Sequence, residues 1–392
     1  MLTALDETLL HQAPVTFDQT RSSDHRFFDR MWLGGHCAEN IRFLMGMAVY
    51  KNTNTVDGYF TVLMHGKQYN LRASRPLLPH PTAMEVGPIK LEIVRPLQEM
   101  RLIVQKGPEH PFSVDLNFVA TVPVRLESPH LNRVDGRLVQ DYVRFDQHGH
   151  INGSFCVDDA RVEMKQWFGA RDHSWGVRPS SGGYEPATSV AVDDTYGGQL
   201  SGAKGWFAIY LFFETPHYSG YIQHQEDGDG RLLYMDGSIG VRREGSIDEQ
   251  PITSLVHDLQ FVPGTRTCSG GELRAVLKNG TQAVIQVQSL LPGTVYKGTG
   301  YDNGFNDERG LGLHRGHLIE ADVYDVSDVE RVRLPDGRTI RPWHRELPCT
   351  VTVNGENGMG YAAVLNNGRI RRYDLSGEFT NKRTDMKEAV GG

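Results

Sequence analysis

Long apolar runs are missing from this chain. The most hydrophobic stretch, Gly205–Phe213 (GWFAIYLFF), is about half the ~20 residues that a spanning helix needs. Cysteine is scarce: Cys37, Cys156, Cys268 and Cys349 lie far apart with no C-x-x-C pair, which reads as buried thiols in a reducing cytoplasm. Positive charge is not in excess. With 41 Lys and Arg against 48 Asp and Glu, a net charge of −7 and a pI near 6.1, the chain has no general basic field for phosphates, so no nucleic-acid partner is expected. The start, Met1–Glu7, carries acid where a secretory signal needs a basic and then an apolar region, so no such signal and a cytoplasmic location are expected. Helix periodicity is nearly absent: residues 6–11 and 380–390 could coil, but neither carries a wide apolar stripe.

The familiar catalytic motifs are absent as well. No G-x-S-x-G occurs, so there is no nucleophile elbow. Gly197–Gly202 has the outer spacing of a P-loop, but Ala203 stands where lysine must. Gly298-Thr299-Gly300 and Gly310-Leu311-Gly312 lack the third glycine of a dinucleotide fingerprint. His148/His150 and His314/His317 have spacings a metal could use but no neighbourhood of ligand character. Asp302–Asp307 lacks the alternate oxygens and the final glutamate of a calcium loop. Neither a metal nor another cofactor is expected.

What the chain has in quantity is turns. Its 392 residues are 39% hydrophobic and 23% charged, which excludes an acidic disordered chain and a membrane bundle and predicts two or three domains. Forty-three glycines and 19 prolines separate short apolar or alternating runs. These include Arg42–Tyr50, Tyr59–Met64, Lys90–Val94, Met100–Gln105, Ser113–Val122, Trp206–Phe213, Leu232–Met235, Glu272–Leu277, Ala283–Gln288, His317–Tyr324 and Gly360–Leu365. In Ser113–Phe118 the apolar residues share one face of a strand. Asx-Gly pairs at 135, 229, 279, 336 and 367 predict two-residue hairpin turns, which need positive φ. Strands without intervening helices mean antiparallel barrels or sandwiches. The fold predicted is all-β, in two tandem domains: an arm over 1–25, a first domain over 26–180, a second over 181–378, and a flexible tail over 379–392. The boundary falls in Pro179–Gly183.

One segment is dense in costly residues: Trp167-Phe168-Gly169-Ala170-Arg171-Asp172-His173-Ser174-Trp175-Gly176-Val177-Arg178. Composition alone allows a tryptophan-anchored strand with paired charges. Arg171–Gly176, however, closely resembles the Asp-His-x-Trp-Gly signature of the carotenoid 1,2-hydratase-like group. That group includes kievitone hydratases and Diels–Alderase-type pericyclases. The resemblance implies two lipocalin-like, calycin-type units and places the family's His and Trp on His173 and Trp175. It also implies a Tyr-x-Asp pair further along, for which this chain has Tyr210-Leu211-Phe212, with Glu214 two residues beyond as the available carboxylate.

If Arg171–Trp175 is extended, Arg171, His173 and Trp175 share one face, and Asp172 and Ser174 the other. His173 beside Trp175 would pair a proton donor with an aromatic wall able to favour a cation. Asp172, next to Arg171 and facing away, reads as a structural anchor or a second acid. Trp206, Tyr210 and Phe212 share a face of their strand, opposite Phe207, Ile209, Leu211 and Phe213. That doubly apolar pattern predicts a strand buried on both sides, one face toward a core and one toward a cavity. Candidate catalytic residues are therefore His173, Trp175, Asp172 and Tyr210. Trp167, Arg171, Arg178, Trp206, Phe212 and Glu214 are candidate substrate contacts. The function expected is cofactor-free acid–base chemistry, hydratase, dehydratase or isomerase, on a lipophilic isoprenoid, prenylated or polycyclic partner. A non-catalytic ligand carrier and a pericyclase are the alternatives. Peripheral membrane contact stays open, as does the choice between monomer and homodimer.

Overall fold

The computed structural model describes residues 1–134, 137–179, 205–243, 246–342 and 345–375. The Asp135-Gly136 turn, the 180–183 part of the expected boundary, Gly197–Gly202 and the expected tail with its candidate helix lie outside the described residues. Alternation does what its period dictates. In Phe112–Ala120, Val114, Leu116 and Phe118 are buried while Asp115 faces out, because successive side chains of a strand point to opposite faces. All eleven runs singled out above lie in or overlap strands, and the protein is all-β. Among the described residues there is no α-helix, only 3-10 turns. Of the candidate coil at 6–11, Asp6 and Glu7 close one such turn, capped by Thr3. None of the described helices is long and apolar enough to cross a membrane.

The strands in chain order are β1 (Phe27–His36), β2 (Arg42–Tyr50), β3 (Thr55–Met64), β4 (Lys67–Pro76), β5 (Glu85–Val86), β6 (Ile89–Arg95), β7 (Glu99–Val104), β8 (Phe112–Ala120), β9 (Arg125–Leu126), β10 (His130–Val134), β11 (Arg137–Val157) and β12 (Ala160–Val177). There follow β13 (Trp206–Glu214), β14 (Tyr218–Asp227), β15 (Leu232–Arg243), β16 (Ser246–Phe261), β17 (Cys268–Leu277), β18 (Gln282–Ser289), β19 (Thr294–Val295), β20 (Leu318–Asp325), β21 (Val332–Arg333), β22 (Thr339–Ile340), β23 (Arg345–Val353) and β24 (Glu356–Asn367).

Two compact units result. Of the described residues, the first takes 1–62, 70–179 and 297–321, and the second 63–69, 205–296 and 322–375. In the first unit the sheet runs β4-β3-β2-β1-β12-β11-β8-β7-β6-β5, with β9 and β10 also paired to β11 and the signature strand β12 held between β1 and β11. The second unit is a closed antiparallel barrel. Its order is β18-β17-β16-β15-β14-β13-β24-β23, and β23 returns to β18 through pairs Ile285↔Val353 to Ser289↔Cys349. Phe207, Ile209, Leu211 and Phe213 of β13 belong to its core, with Ile222, Leu273, Ile285 and Cys349.

The turn chemistry differs from the expectation. At Asp229-Gly230, Asn279-Gly280 and Asp336-Gly337 only the glycine has positive φ. At 279–281 the Gly280 N–H bonds Leu277 O and the Leu277 N–H bonds Thr281 O. The other two repeat this pattern, so they are three-residue loops in which glycine forms a bulge. Among the described residues, two-residue hairpin turns positive at both positions occur at His65-Gly66 and Asn354-Gly355. All four cysteines are free thiols, Cys268 and Cys349 buried and Cys37 and Cys156 half-buried.

Candidate active site

Register fixes what β12 presents. Across the three central strands the rows are Met31–His173–Phe145, Trp32–Asp172–Asp146 and Arg30–Ser174–Arg144. Because strand side chains alternate, the even and odd residues of the signature serve two different faces.

The odd face holds His173, whose Nε2 lies 2.7 Å from Asp29 Oδ1. The rings of Phe145, His173 and Trp175 form a triangle with centroids 5.2–6.4 Å apart. Trp175 is 37% exposed. Arg171 is buried and donates through Nε and Nη2 to Gln147 Oε1, with Nη1 3.0 Å from Met100 Sδ. Its guanidinium lies over the rings of Phe118 and Phe145. None of the described carboxylates pairs with it, and desolvation lowers its pKa to about 10. Trp167 packs on Phe155. It is six positions from His173, about 20 Å along a strand, and so stands apart from this group.

The even face carries a dense polar network that sequence reasoning missed. Glu127 accepts from Arg144 Nε at 2.8 Å, and its Oε2 lies 2.6 Å from His130 Nε2. His130 in turn stacks on Tyr142 with centroids 4.3 Å apart. Burial pushes Asp146 well above the ordinary carboxylate range, aided by the neighbouring Glu127 charge and a hydrogen bond to it. Against the cost of burial, Arg144, Asp146 and His130 hold Glu127 below that range. Neighbouring carboxyls are thus pushed in opposite directions, the pattern that separates acid from base. Asp172 faces Asp146 across the ladder, with its Oδ2 3.9 Å from Arg144 Nη1. Burial raises its pKa too, opposed by the Arg144, Arg178 and Arg30 charges. Of the three carboxyl side chains it alone keeps sizeable exposure, 21% against 3% for Asp146 and 0% for Glu127.

Cations and aromatics continue this face. Arg30, buried, donates to Tyr50 Oη at 2.6 Å and to Tyr301 Oη, and lies over the rings of Phe28, Tyr50 and Tyr301. Arg178 also donates to Tyr301 Oη, at 2.9 Å, and covers Phe28. Asp57 is fully enclosed. Its Oδ2 accepts from Gly312 N–H at 2.6 Å, its Oδ1 has no partner, and desolvation pushes it up to about 6. Gly46 makes room here, since a Cβ would sit 2.4 Å from the Tyr59 ring. A signal for the network was present: in Arg144-Phe145-Asp146-Gln147-His148 the ionisable residues recur at every second position, the period of one strand face.

The remaining candidates belong to the second unit. Trp206 and Phe212 are buried, and the Tyr210 hydroxyl, half-buried with them, accepts from Gln225 Nε2 at 3.1 Å. Glu214 is ion-paired with Arg242 at 2.8 Å.

A family model described as "Family of unknown function (DUF8625)" matches residues 2–341. No curated protein matches the chain. Solved structures similar to it include a putative AttH from Nitrosomonas europaea (10% identity, 86% of this chain and 92% of that one, TM-score 0.49). Kievitone hydratase from Nectria haematococca is similar at 10% identity over 86% and 89%, TM-score 0.44. CghA with Sch210972 is similar at 9% identity over 87% and 88%, TM-score 0.45.

Proposed function

The chain belongs to DUF8625, a family of unknown function, and from the site it carries we propose that it is an acid–base enzyme acting on a lipophilic substrate without a cofactor. The reaction class is hydration, dehydration or isomerisation of an isoprenoid, prenylated or polycyclic alkene. The observation that carries this reading is Asp172. It is the accessible member of a buried three-carboxyl group, 3.9 Å from Arg144 and in the field of Arg178 and Arg30, and burial pushes its pKa up. The Asp-His-x-Trp-Gly resemblance supports the same class.

In the hydration direction, protonated Asp172 gives its proton to an alkene carbon, and water adds to the resulting cation. The Asp172 carboxylate then takes a proton from that water and is restored. An aromatic face such as Trp32, the Asp172 neighbour in register, favours such a cation by about 1–2 kcal/mol once water is excluded. Glu127 and Arg144 act by positioning: they fix the charge around Asp146 and Asp172. His173, held by Asp29 on the opposite face, is the competing acid.

The test is a panel of prenylated phenols and terpenoid alkenes incubated in D2O, with mass spectrometry for added water or deuterium. Asp172→Asn should lower turnover roughly 10²–10⁴-fold with the fold retained, and His173→Ala much less. Turnover lost in His173→Ala but kept in Asp172→Asn would move the chemistry to the odd face. Tight binding of panel compounds with no turnover in the wild type would favour the ligand-carrier reading.

A further inference from the structure

Among the described residues, one group of three metal-ligating side chains converges: His224, Glu226 and His257, all buried, with one ligand atom from each lying within 4.8 Å of the others. The histidine pairs singled out in the sequence, 148/150 and 314/317, form no such group. His224 and Glu226 stand at alternate positions of β14, so they share a face, and His257 comes from β16 of the same barrel. Glu226 lies between the two rings, its Oε2 3.3 Å from His224 Nε2 and its Oε1 3.3 Å from His257 Nε2.

The His224–Glu226 contact is within hydrogen-bonding distance, and both separations also equal the spacing between ligands of one tetrahedral metal ion. Ligand atoms about 2.0–2.1 Å from a tetrahedral zinc stand about 3.3 Å from one another. Glu226 Oε1 and His257 Nε2 are both buried and both lack a hydrogen-bond partner, although they face each other. Two buried polar atoms left so lose their hydration without compensation, and a shared cation removes that cost. The His257 ring is also held as a ligand's would be. Its Nδ1 lies 2.6 Å from Tyr373 Oη, which in turn accepts from Leu259 N–H at 3.1 Å, and its face stacks on Phe207. Fixing one ring nitrogen this way orients the other toward a metal. The nearest competing cation is Arg372, whose Nε is 3.6 Å from Glu226 Oε1, beyond hydrogen-bonding distance, on a side chain 41% exposed.

We infer that His224, Glu226 and His257 bind one divalent transition-metal ion of the zinc class inside the second unit. Two imidazoles and a carboxylate suit Zn2+ and Co2+ over Mg2+ or Ca2+, and three protein ligands leave a tetrahedral ion one further position.

The experiment uses the full chain, dialysed against EDTA and titrated with Co2+ and then Zn2+. Expected are one Co2+ per chain with the intense visible absorption of a tetrahedral ion, bleached by one equivalent of Zn2+. Glu226→Gln, which keeps size and shape, should weaken Zn2+ binding in calorimetry at least 100-fold. Tyr373→Phe keeps every ligand and removes only the hydroxyl on Nδ1, and should weaken it about 10–100-fold. A wild-type protein that takes up no Co2+ overturns the inference. So does a Zn2+ affinity unchanged in Glu226→Gln.

Discussion

Replacing Asp57 by asparagine tests whether the even face of β12 really buries charge. Asp57 is 1% exposed and desolvation raises its pKa from 3.8 to about 6. The sign follows from linkage: a carboxyl with a folded pKa above its unfolded one costs stability where it must be ionised. That cost is absent below about pH 3.8 and complete above about pH 6. Roughly two pKa units at 1.36 kcal/mol each give about 3 kcal/mol. Asparagine keeps the shape and an acceptor for Gly312 N–H but cannot ionise. Its new N–H group adds a penalty of about 1–3 kcal/mol if it finds no acceptor, and that penalty does not vary with pH. The observable is therefore the difference between variant and wild type. It should swing by about 2–3 kcal/mol in favour of Asp57→Asn as pH rises from about 4 to about 7.5. Urea unfolding followed by circular dichroism across that range measures it. A difference that stays flat refutes the argument, and with it the picture of a dry, charged face beside Arg30.

Glu127→Gln removes the carboxylate that joins Arg144, His130 and Asp146; breaking so buried a pair should cost about 3–5 kcal/mol at neutral pH in the same urea assay. Because Glu127 is held below its ordinary pKa, its stabilisation is present above about pH 4.3 and fades as pH falls further, so the gap between variant and wild type should narrow in acid. Gly46→Ala drives a methyl into the Tyr59 ring and should cost about 1–3 kcal/mol by overpacking; a midpoint identical to wild type would mean the ring can move aside.

The all-β class was legible because its cause is local. Alternation as in Ser113–Phe118 needs only neighbouring residues to specify a strand, and the glycines after Asp229, Asn279 and Asp336 close their loops with few residues. The division of the signature, with Arg171, His173 and Trp175 on one side and Asp172 on the other, is equally a property of a strand and was legible too. The contents of each side were not. A period of two says which side chains travel together, never which partners they meet. His173 meets Asp29, 144 positions away; Arg30 meets Tyr301, 271 positions away. His224-x-Glu226 is only an alternate pair in the sequence; β16 brings His257 to it. Strand pairing joins residues across hundreds of positions through backbone bonds that carry little side-chain identity, so which acids, bases and ligands converge was decided by the tertiary structure alone.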